Sequence, residues 1–447
     1  MLNSLIHVKF NWNIFTGIAI IIYLAFPDLS GYSYFAILIT LHQFTLLFNA
    51  IGYVIPVRYL FGAFMCLQLL LGPMLAYNGL DKFQVGYYKM QIPEEQYFAY
   101  LIPAVLAFIT GLHIRAGKLE GEMVNTAGIE KFVKQNSAVP YIFIAIGFVA
   151  SIIAEFFSSD FAFLFYLLAG FKFVGAFMII LGNRKLKVIP LIIVYGSIIL
   201  SSLGQGMFHD LLTWIIFLAS VFAIKYKPRN NIKLALSFSF IFISLAIQQL
   251  KTDYRVATWE RKEEAGIASI NKAYEESQEK NSFFSYKSLA TSNIRFNQGY
   301  IVTNIMKTVP AKVPHAYGEE LAQILEAAFL PRILAPDKLK AGNQTIFKKY
   351  SGMPLSKGTS MGLSSVGDAY INFGVTGGCI FMFLFGMFFS EVLKIFYRQS
   401  KMYPVLLLFI PLVFYYPIRP DCELQTLLGH LVKSCFLIFI VFALWKK

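Results

Sequence analysis

The chain has 447 residues, of which 57% are hydrophobic, 17% aromatic and only 14% charged, and its mean hydropathy is +0.60. Such usage excludes a soluble globular protein and points to a polytopic membrane protein. The formal net charge of +14 does not point to nucleic acid, because the Lys and Arg fall in alternate loops of a membrane chain.

A spanning helix needs ~20 mostly apolar residues. In chain order about twelve segments meet this measure: residues 12–26, 32–51, 59–77, 97–113, 139–156, 161–181, 188–203, 207–224, 234–250, 366–390, 403–416 and 424–445. The first has little basic charge before it and is followed by Phe26, Pro27 and Asp28 rather than by small residues, so it reads as a retained span. Cys66, Cys379, Cys422 and Cys435 are too scattered for a disulfide framework or a metal site and read as small buried hydrophobes.

Loop charge tests this count independently. With the N-terminus cytoplasmic, the inside loops hold Arg58, then Arg115, Lys118, Lys131 and Lys134, then Arg184, Lys185 and Lys187, then Lys225, Lys227, Arg229 and Lys233, then Lys394, Arg398 and Lys401, and last Lys446 and Lys447. The short outside loops and span ends hold Asp28, Asp81, Glu94, Glu95, Glu155, Asp160, Asp421 and Glu423, with Lys82, Lys89 and Arg419 as their bases. The positive-inside rule then puts both termini in the cytoplasm and the long segment 251–365 outside. The expected organisation is an all-α chain: residues 1–250 with nine spans, 251–365 as an extracytoplasmic loop, and 366–447 with three more.

Within that loop, residues 259–280 form a charged helical pattern with Trp259, Ile267, Ile270 and Tyr274 along one face. After Gly318, Leu321, Ile324, Leu325, Ala328 and Phe329 recur at helical spacing, Glu319 and Glu320 occupy the first turn, and Pro331 stops the run. A short amphipathic helix of this kind lies in the membrane interface or packs on other loop helices, and both readings stay open here. The halves of the chain differ and no repeat is visible, which counts against a transporter.

Ionisable residues inside spans are costly and invite attention. Lys172 and Lys433 are two, and His209 with Asp210 begins the eighth span at its outer end. The six histidines form no ligand pattern, and the nearest approach to an acidic metal motif is Asp421-Cys422-Glu423 beside Arg419. No phosphate-binding or dinucleotide fingerprint occurs. The loop does offer Arg255, Arg261, Arg295 and Arg332. Arginine binds phosphate oxygens bidentately. Arg255 and Arg261 sit among acids, whereas Arg295 and Arg332 lie in less charged, Pro- and Gly-punctuated surroundings.

The order RFNQG from Arg295, Pro310, Tyr317-Gly318, LPR ending at Arg332, PDK at 336–338, Thr359-Ser360 and GDAYINFGVTGG resembles bacterial O-antigen and exopolysaccharide repeat-unit polymerases of the Wzy type. The resemblance covers the second half of the loop and the tenth span. It implies a GT-C-like membrane glycosyltransferase at the outer leaflet of the bacterial inner membrane. Such an enzyme moves a growing glycan from undecaprenyl diphosphate onto an incoming undecaprenyl-diphosphate-linked repeat unit, with no metal or nucleotide cofactor. By the same resemblance Arg295, Arg332 and Lys338 bind diphosphate, while Asp368, Tyr370 and Asn372 shape the site. An RX10G pattern quoted for these enzymes fits Arg255 and Gly266. Where members often carry an Arg at the start of the eighth span, this chain has GQGMFHD, which leaves Lys172 as a substitute cation. A chain-length regulator and a flippase are the partner proteins that the resemblance admits.

The transfer needs a group to take the acceptor hydroxyl's proton, and His315, Glu319 and Asp368 are the candidates. It also needs cations that stabilise the departing diphosphate, for which Arg295 and Arg332 are placed. Two other expectations are compatible with many spans: an O-antigen ligase, and a polysaccharide flippase with short loops and a polar central cavity.

Overall fold

The computed structural model describes residues 10–114, 123–157, 159–183, 185–205, 208–255, 285–330, 334–335, 337–356 and 359–445. Among these the chain is all-helical, without a β-strand. The helices in chain order are α1 (Trp12–Ala25), α2 (Gly31–Ala50), α3 (Val57–Tyr77), α4 (Glu94–Ile114), α5 (Thr126–Gln135), α6 (Val139–Ile153), α7 (Ser159–Ala169), α8 (Phe171–Gly182), α9 (Val188–Gln205), α10 (His209–Tyr226) and α11 (Asn230–Arg255). They continue with α12 (Tyr286–Phe296), α13 (Gly299–Thr308), α14 (Glu319–Phe329), α15 (Gln344–Ser351), α16 (Ser365–Ser400) and α17 (Leu424–Trp445). The charged pattern at 259–280 lies outside the described residues.

Among the described residues nine helical stretches are long and apolar enough to cross a membrane, and the chain is an all-α membrane protein. The other three expected spans coincide with shorter apolar helices at Trp12–Ala25, Val188–Gly204 and Pro404–Val413. Prolines account for the last: Pro404 starts a 3-10 run through Phe409, and Pro411 sits inside the single α turn Ile410–Val413. Exposed apolar side chains such as Leu236, Phe238 and Phe242 on α11 form the surface that lipid covers.

The centre is the pair α4 and α16, packed along most of their length. A Cβ on Gly111 of α4 would run into the Phe383 carbonyl, and one on Gly386 of α16 into the Phe108 carbonyl. Gly378 likewise leaves room for the Tyr100 ring. Small residues at facing positions let two membrane helices approach backbone to backbone. Phe61, Phe108, Phe385 and Phe389 fill the space beside them.

Arg58, counted above among the inside loop charges, is instead fully buried at the start of α3. Its guanidinium bonds His113 Nδ1 at 2.8 Å and donates to the Tyr59 hydroxyl at 3.2 Å. A hydrogen-bonded cation inside the bundle says little about sidedness. Lys233 of the same set is likewise buried, its Nζ donating to the carbonyls of Phe48 and Ile51.

The loop between α11 and α16 folds onto one end of the bundle. Proline at position 73 has no N–H, so the carbonyl of Leu69 loses its helical donor, and the backbone widens to a π-type turn over Leu67–Leu71. The Tyr97 hydroxyl donates to the Leu69 carbonyl at 2.9 Å. Neighbouring carbonyls take donors from the loop: Gln298 N–H reaches Gln68 at 2.9 Å and Asn293 Nδ2 reaches Gly72 at 3.0 Å. The α3–α4 connection grips α13 from outside, through Asn304 Nδ2 to the Tyr87 carbonyl (3.0 Å) and Gln91 N–H to Thr303 Oγ1 (3.2 Å).

The close approach of α4 and α16 is testable. Gly111→Ala and Gly386→Ala are each expected to lower the melting temperature in detergent, by a destabilisation of roughly 1–3 kcal/mol from overpacking. Gly196→Ala, in α9 with nothing near its missing Cβ, is expected to leave it unchanged or slightly raised.

Candidate functional site at a broken helix

α16 is one helix in sequence but two in backbone. Gly374 has φ 64 and ψ −158, a conformation open to glycine and strained for other residues. The ladder is interrupted there, and the loop supplies partners. Ala316 N–H donates to the Ile371 carbonyl at 2.9 Å. His315 Nδ1 lies 3.1 Å from the Tyr370 carbonyl and 3.3 Å from that of Ile371. Both oxygens can only accept, so Nδ1 carries the hydrogen and the neutral ring keeps its lone pair on Nε2. That edge of the ring lies over the glycine, with Cε1 and Nε2 each 3.5 Å from where a Cβ at 374 would stand. Tyr317 (φ 48) and Gly318 (φ 96), the YG of the sequence pattern, are both left-handed and turn the chain from His315 into α14.

The short half-helix before the break is held on every side. Ser364, its N-cap, is buried at φ 65 and ψ 156, and its Oγ accepts from Gly367 N–H. A non-glycine residue in that region stores ~1–3 kcal/mol, and such strain gathers at functional sites. Asp368 is 6% exposed, and its Oδ2 accepts the Leu424 N–H that opens α17 at 3.3 Å. Asn372 Oδ1 accepts Leu321 N–H from the first turn of α14 at 3.2 Å, and the Tyr370 hydroxyl reaches the Val309 carbonyl at 3.4 Å. The apolar face of α14, with Ile324, Ala327 and Ala328 buried, packs against α17. Of the two readings left open for this helix, packing on other loop helices is corrected for that face: it packs on the last spanning helix, α17.

Of the expected site residues, the structure therefore brings His315, Asp368, Tyr370 and Asn372 together at one half-helix. Glu319 stands exposed at the start of α14. Lys338 Nζ donates to the Ala327 carbonyl at 2.9 Å and to that of Leu330, capping the end of α14. Lys172 is half-buried between α6 and α8, with Nζ 3.3 Å from Ser151 Oγ and over the rings of Phe148 and Phe173. Arg332 and the side chain of Arg255 lie outside the described residues. Arg295 is exposed on the last turn of α12, seated by the RFNQG segment on the widened turn of α3.

One group was legible only as fragments. The loop after residue 413 carries Arg419 between Pro417 and Pro420, and its Nη2 pairs with Asp421 Oδ2 at 3.2 Å. Arg419 Nε and Asp421 Oδ1 are both buried without a hydrogen-bond partner among the described residues. Arg419 also lines a narrow crevice with Ser365, the first residue of α16, and with Phe61 and Phe385. Burial by itself raises the Asp421 carboxyl, but the Arg419 guanidinium and then His209 outweigh it and hold the carboxyl at about 2. So His209, noted above at the outer end of a span, lies within electrostatic reach of Asp421. Tyr300 links it to Arg295: burial and Tyr88 raise its hydroxyl, Arg295 opposes them and Asp421 adds to them. The sequence signal was an arginine set between two prolines and two residues from an aspartate. Among the described residues, no group of three His, Cys, Asp or Glu side chains is placed to hold a metal.

A family model described as a domain of unknown function (DUF8712) matches residues 51–397. The chain belongs to this family. No curated protein and no solved structure matches it. The DUF8712 match runs from the residue after α2 into the last turn of α16. It takes in the widened turn of α3, the outer loop and the helix break, and leaves out Arg419, Asp421 and α17.

The Arg419–Asp421 pair sets an acid dependence. Because the folded carboxyl lies below its ordinary 3.8, the pair's contribution is fully present above that value and is lost as pH falls through about 2. Melting temperatures measured between pH 5 and pH 2, both set about the shift, are expected to fall less steeply for Asp421→Asn than for the parent chain. Near neutral pH the same variant is expected to be less stable, because Arg419 keeps its charge without a partner.

Proposed function

We propose that this chain is a membrane glycosyltransferase that polymerises oligosaccharide repeat units carried on undecaprenyl diphosphate. It acts at the outer leaflet of a bacterial inner membrane, with both termini cytoplasmic and a GT-C-like arrangement. The observation that carries the reading is the half-helix before Gly374, where an imidazole with a free lone pair and a half-buried arginine lie at opposite ends of the same few turns. His315 sits at the break, and Arg419 sits in the crevice beside Ser365. The order of sequence tokens resembling repeat-unit polymerases supports the same reading, since GDAYINFG is this half-helix, YG follows the His315 segment that serves its break, and RFNQG seats the same loop on α3.

In the proposed step the acceptor sugar hydroxyl attacks the anomeric carbon of the donor glycan. Its oxygen forms the new glycosidic bond, and its proton goes to His315 Nε2. The bond from the anomeric carbon to the diphosphate oxygen breaks, and undecaprenyl diphosphate leaves with the electron pair. Arg419 and Arg295 stabilise the charge that gathers on the leaving group. Asp368, whose carboxylate already accepts the Leu424 N–H, is a positioning residue that holds α17 and the Arg419 loop against α16. Bringing two lipid-anchored substrates into line at one rigid half-helix supplies further rate.

The test is polymerisation of purified lipid-linked repeat unit by the purified protein without ATP. A ladder of products is expected from the parent chain and from Lys348→Ala, an exposed site on α15. His315→Asn keeps a donor for the Tyr370 and Ile371 carbonyls but lacks the base, and is expected to slow transfer by ~10²–10⁴. Arg419→Ala is expected to cost ~10²–10³. Transfer of preformed glycan to a different acceptor, with no ladder, would instead indicate a ligase. An unchanged ladder from both variants would remove these residues from the reaction.

A further inference from the structure

At the opposite end of the bundle from the broken helix is a cavity of about 460 Å³, a size that holds a small ligand or headgroup. It opens where the amphipathic helix α5 meets the first turn of α6 and the last turn of α8. Its polar wall is Glu130, Lys134, Ser137, Tyr141, Asn183 and Lys187. The site lies well away from the residues assigned to transfer and does not depend on that reading.

We infer that this cavity binds a phosphate group, presented by the headgroup of an anionic membrane lipid. The charge balance favours an anion. Glu130, the acid on the wall, lies within electrostatic reach of Lys225, which is fixed behind the wall by donating to the carbonyls of Ile180 and Asn183, each at 2.6 Å. Lys134 and Lys187 then leave the wall net positive. Lys187 is held in place, with Nζ donating to the Tyr141 hydroxyl at 2.9 Å and lying 5.4 Å from the ring centroid. An ammonium that gives one hydrogen to a tyrosine keeps two for phosphate oxygens, and Ser137 adds a hydroxyl donor. Basic pockets between membrane helices bind phosphate-bearing headgroups for this reason.

The rim distinguishes a lipid from a soluble phosphate. The residue after Tyr141 is Ile142, and those after Lys187 are Val188 and Ile189; all three are more than half exposed. Each belongs to an apolar helix of the bundle, so the polar cavity passes directly into a surface that acyl chains cover. A headgroup bound by the lysines can leave its tails on this rim, and a free phosphate makes no use of it.

Native mass spectrometry of the full chain released from neutral detergent tests the inference, with added phosphatidylglycerol, cardiolipin or phosphatidylcholine. A separate arm uses inorganic phosphate alone, read by protection of the wall lysines from amine labelling. Retention of the anionic phospholipids over phosphatidylcholine is expected. Lys134→Gln with Lys187→Gln is expected to cut their occupancy about thirtyfold, the usual worth of two surface lysines. Lys131→Gln, on α5 but off the wall, is expected to leave it unchanged. Ser137→Trp fills the cavity and keeps both charges, and is expected to abolish retention as well. Protection by inorganic phosphate without lipid retention would support the phosphate site and make its source soluble. Equal retention of phosphatidylcholine with no phosphate protection, or full retention in Ser137→Trp, would overturn the proposal.

Discussion

A backbone that leaves the helical path inside a membrane protein must find partners for the polar groups it exposes, because lipid offers none. In this chain that obligation falls at Gly374, and the segment Val313–Gly318 answers it. His315 and Ala316 serve the Tyr370 and Ile371 carbonyls, and two left-handed residues turn the segment into α14. Most of the outer region follows from this junction. Because α14 starts there, its apolar face reaches α17, and Lys338 can cap its far end. Once the half-helix before the break is fixed, Asp368 can hold the start of α17 and carry the Arg419 loop with it.

A second interruption works with the first. Proline at position 73 opens the backbone of α3, and the freed or reoriented carbonyls are met by Tyr97, Gln298 and Asn293. The outer loop is therefore anchored at two places where a spanning helix departs from regular geometry. Irregular helices hold it more specifically than a smooth bundle surface could, since a regular helix has no spare carbonyls to offer. Tyr300, on the loop between these anchors, lies within electrostatic reach of both Arg295 and Asp421.

The two ends of the bundle use charge differently. At the broken-helix end, arginine is paired with aspartate in a partly buried site, where the field of each charge is strong. At the other end, lysines stand on the open wall of a cavity beside apolar helices, where a compact, exposed ammonium suits a headgroup at the membrane surface. Arg58 shows why the two must be separated by structure. Counted in sequence as an inside loop charge, it is buried and bound to His113.

Composition and apolar run length determined by themselves that this is an all-α membrane chain, and where its long helices lie. Those properties depend on the cost of placing polar groups in lipid, which each segment meets alone. The amphipathic pattern after Gly318, stopped by Pro331, was legible for the same local reason. So was the GDAYINFG stretch, although nothing local said that its second glycine breaks a helix. Only the tertiary structure decided that the face of α14 meets protein, that His315 serves the break, and that Lys338 caps a helix. It alone brought His209 within electrostatic reach of the Arg419–Asp421 pair, because a separation of some two hundred residues carries no trace of proximity made through packing. The expected span at 403–416 came out short because proline and 3-10 geometry limit a helix in ways that average hydropathy does not register.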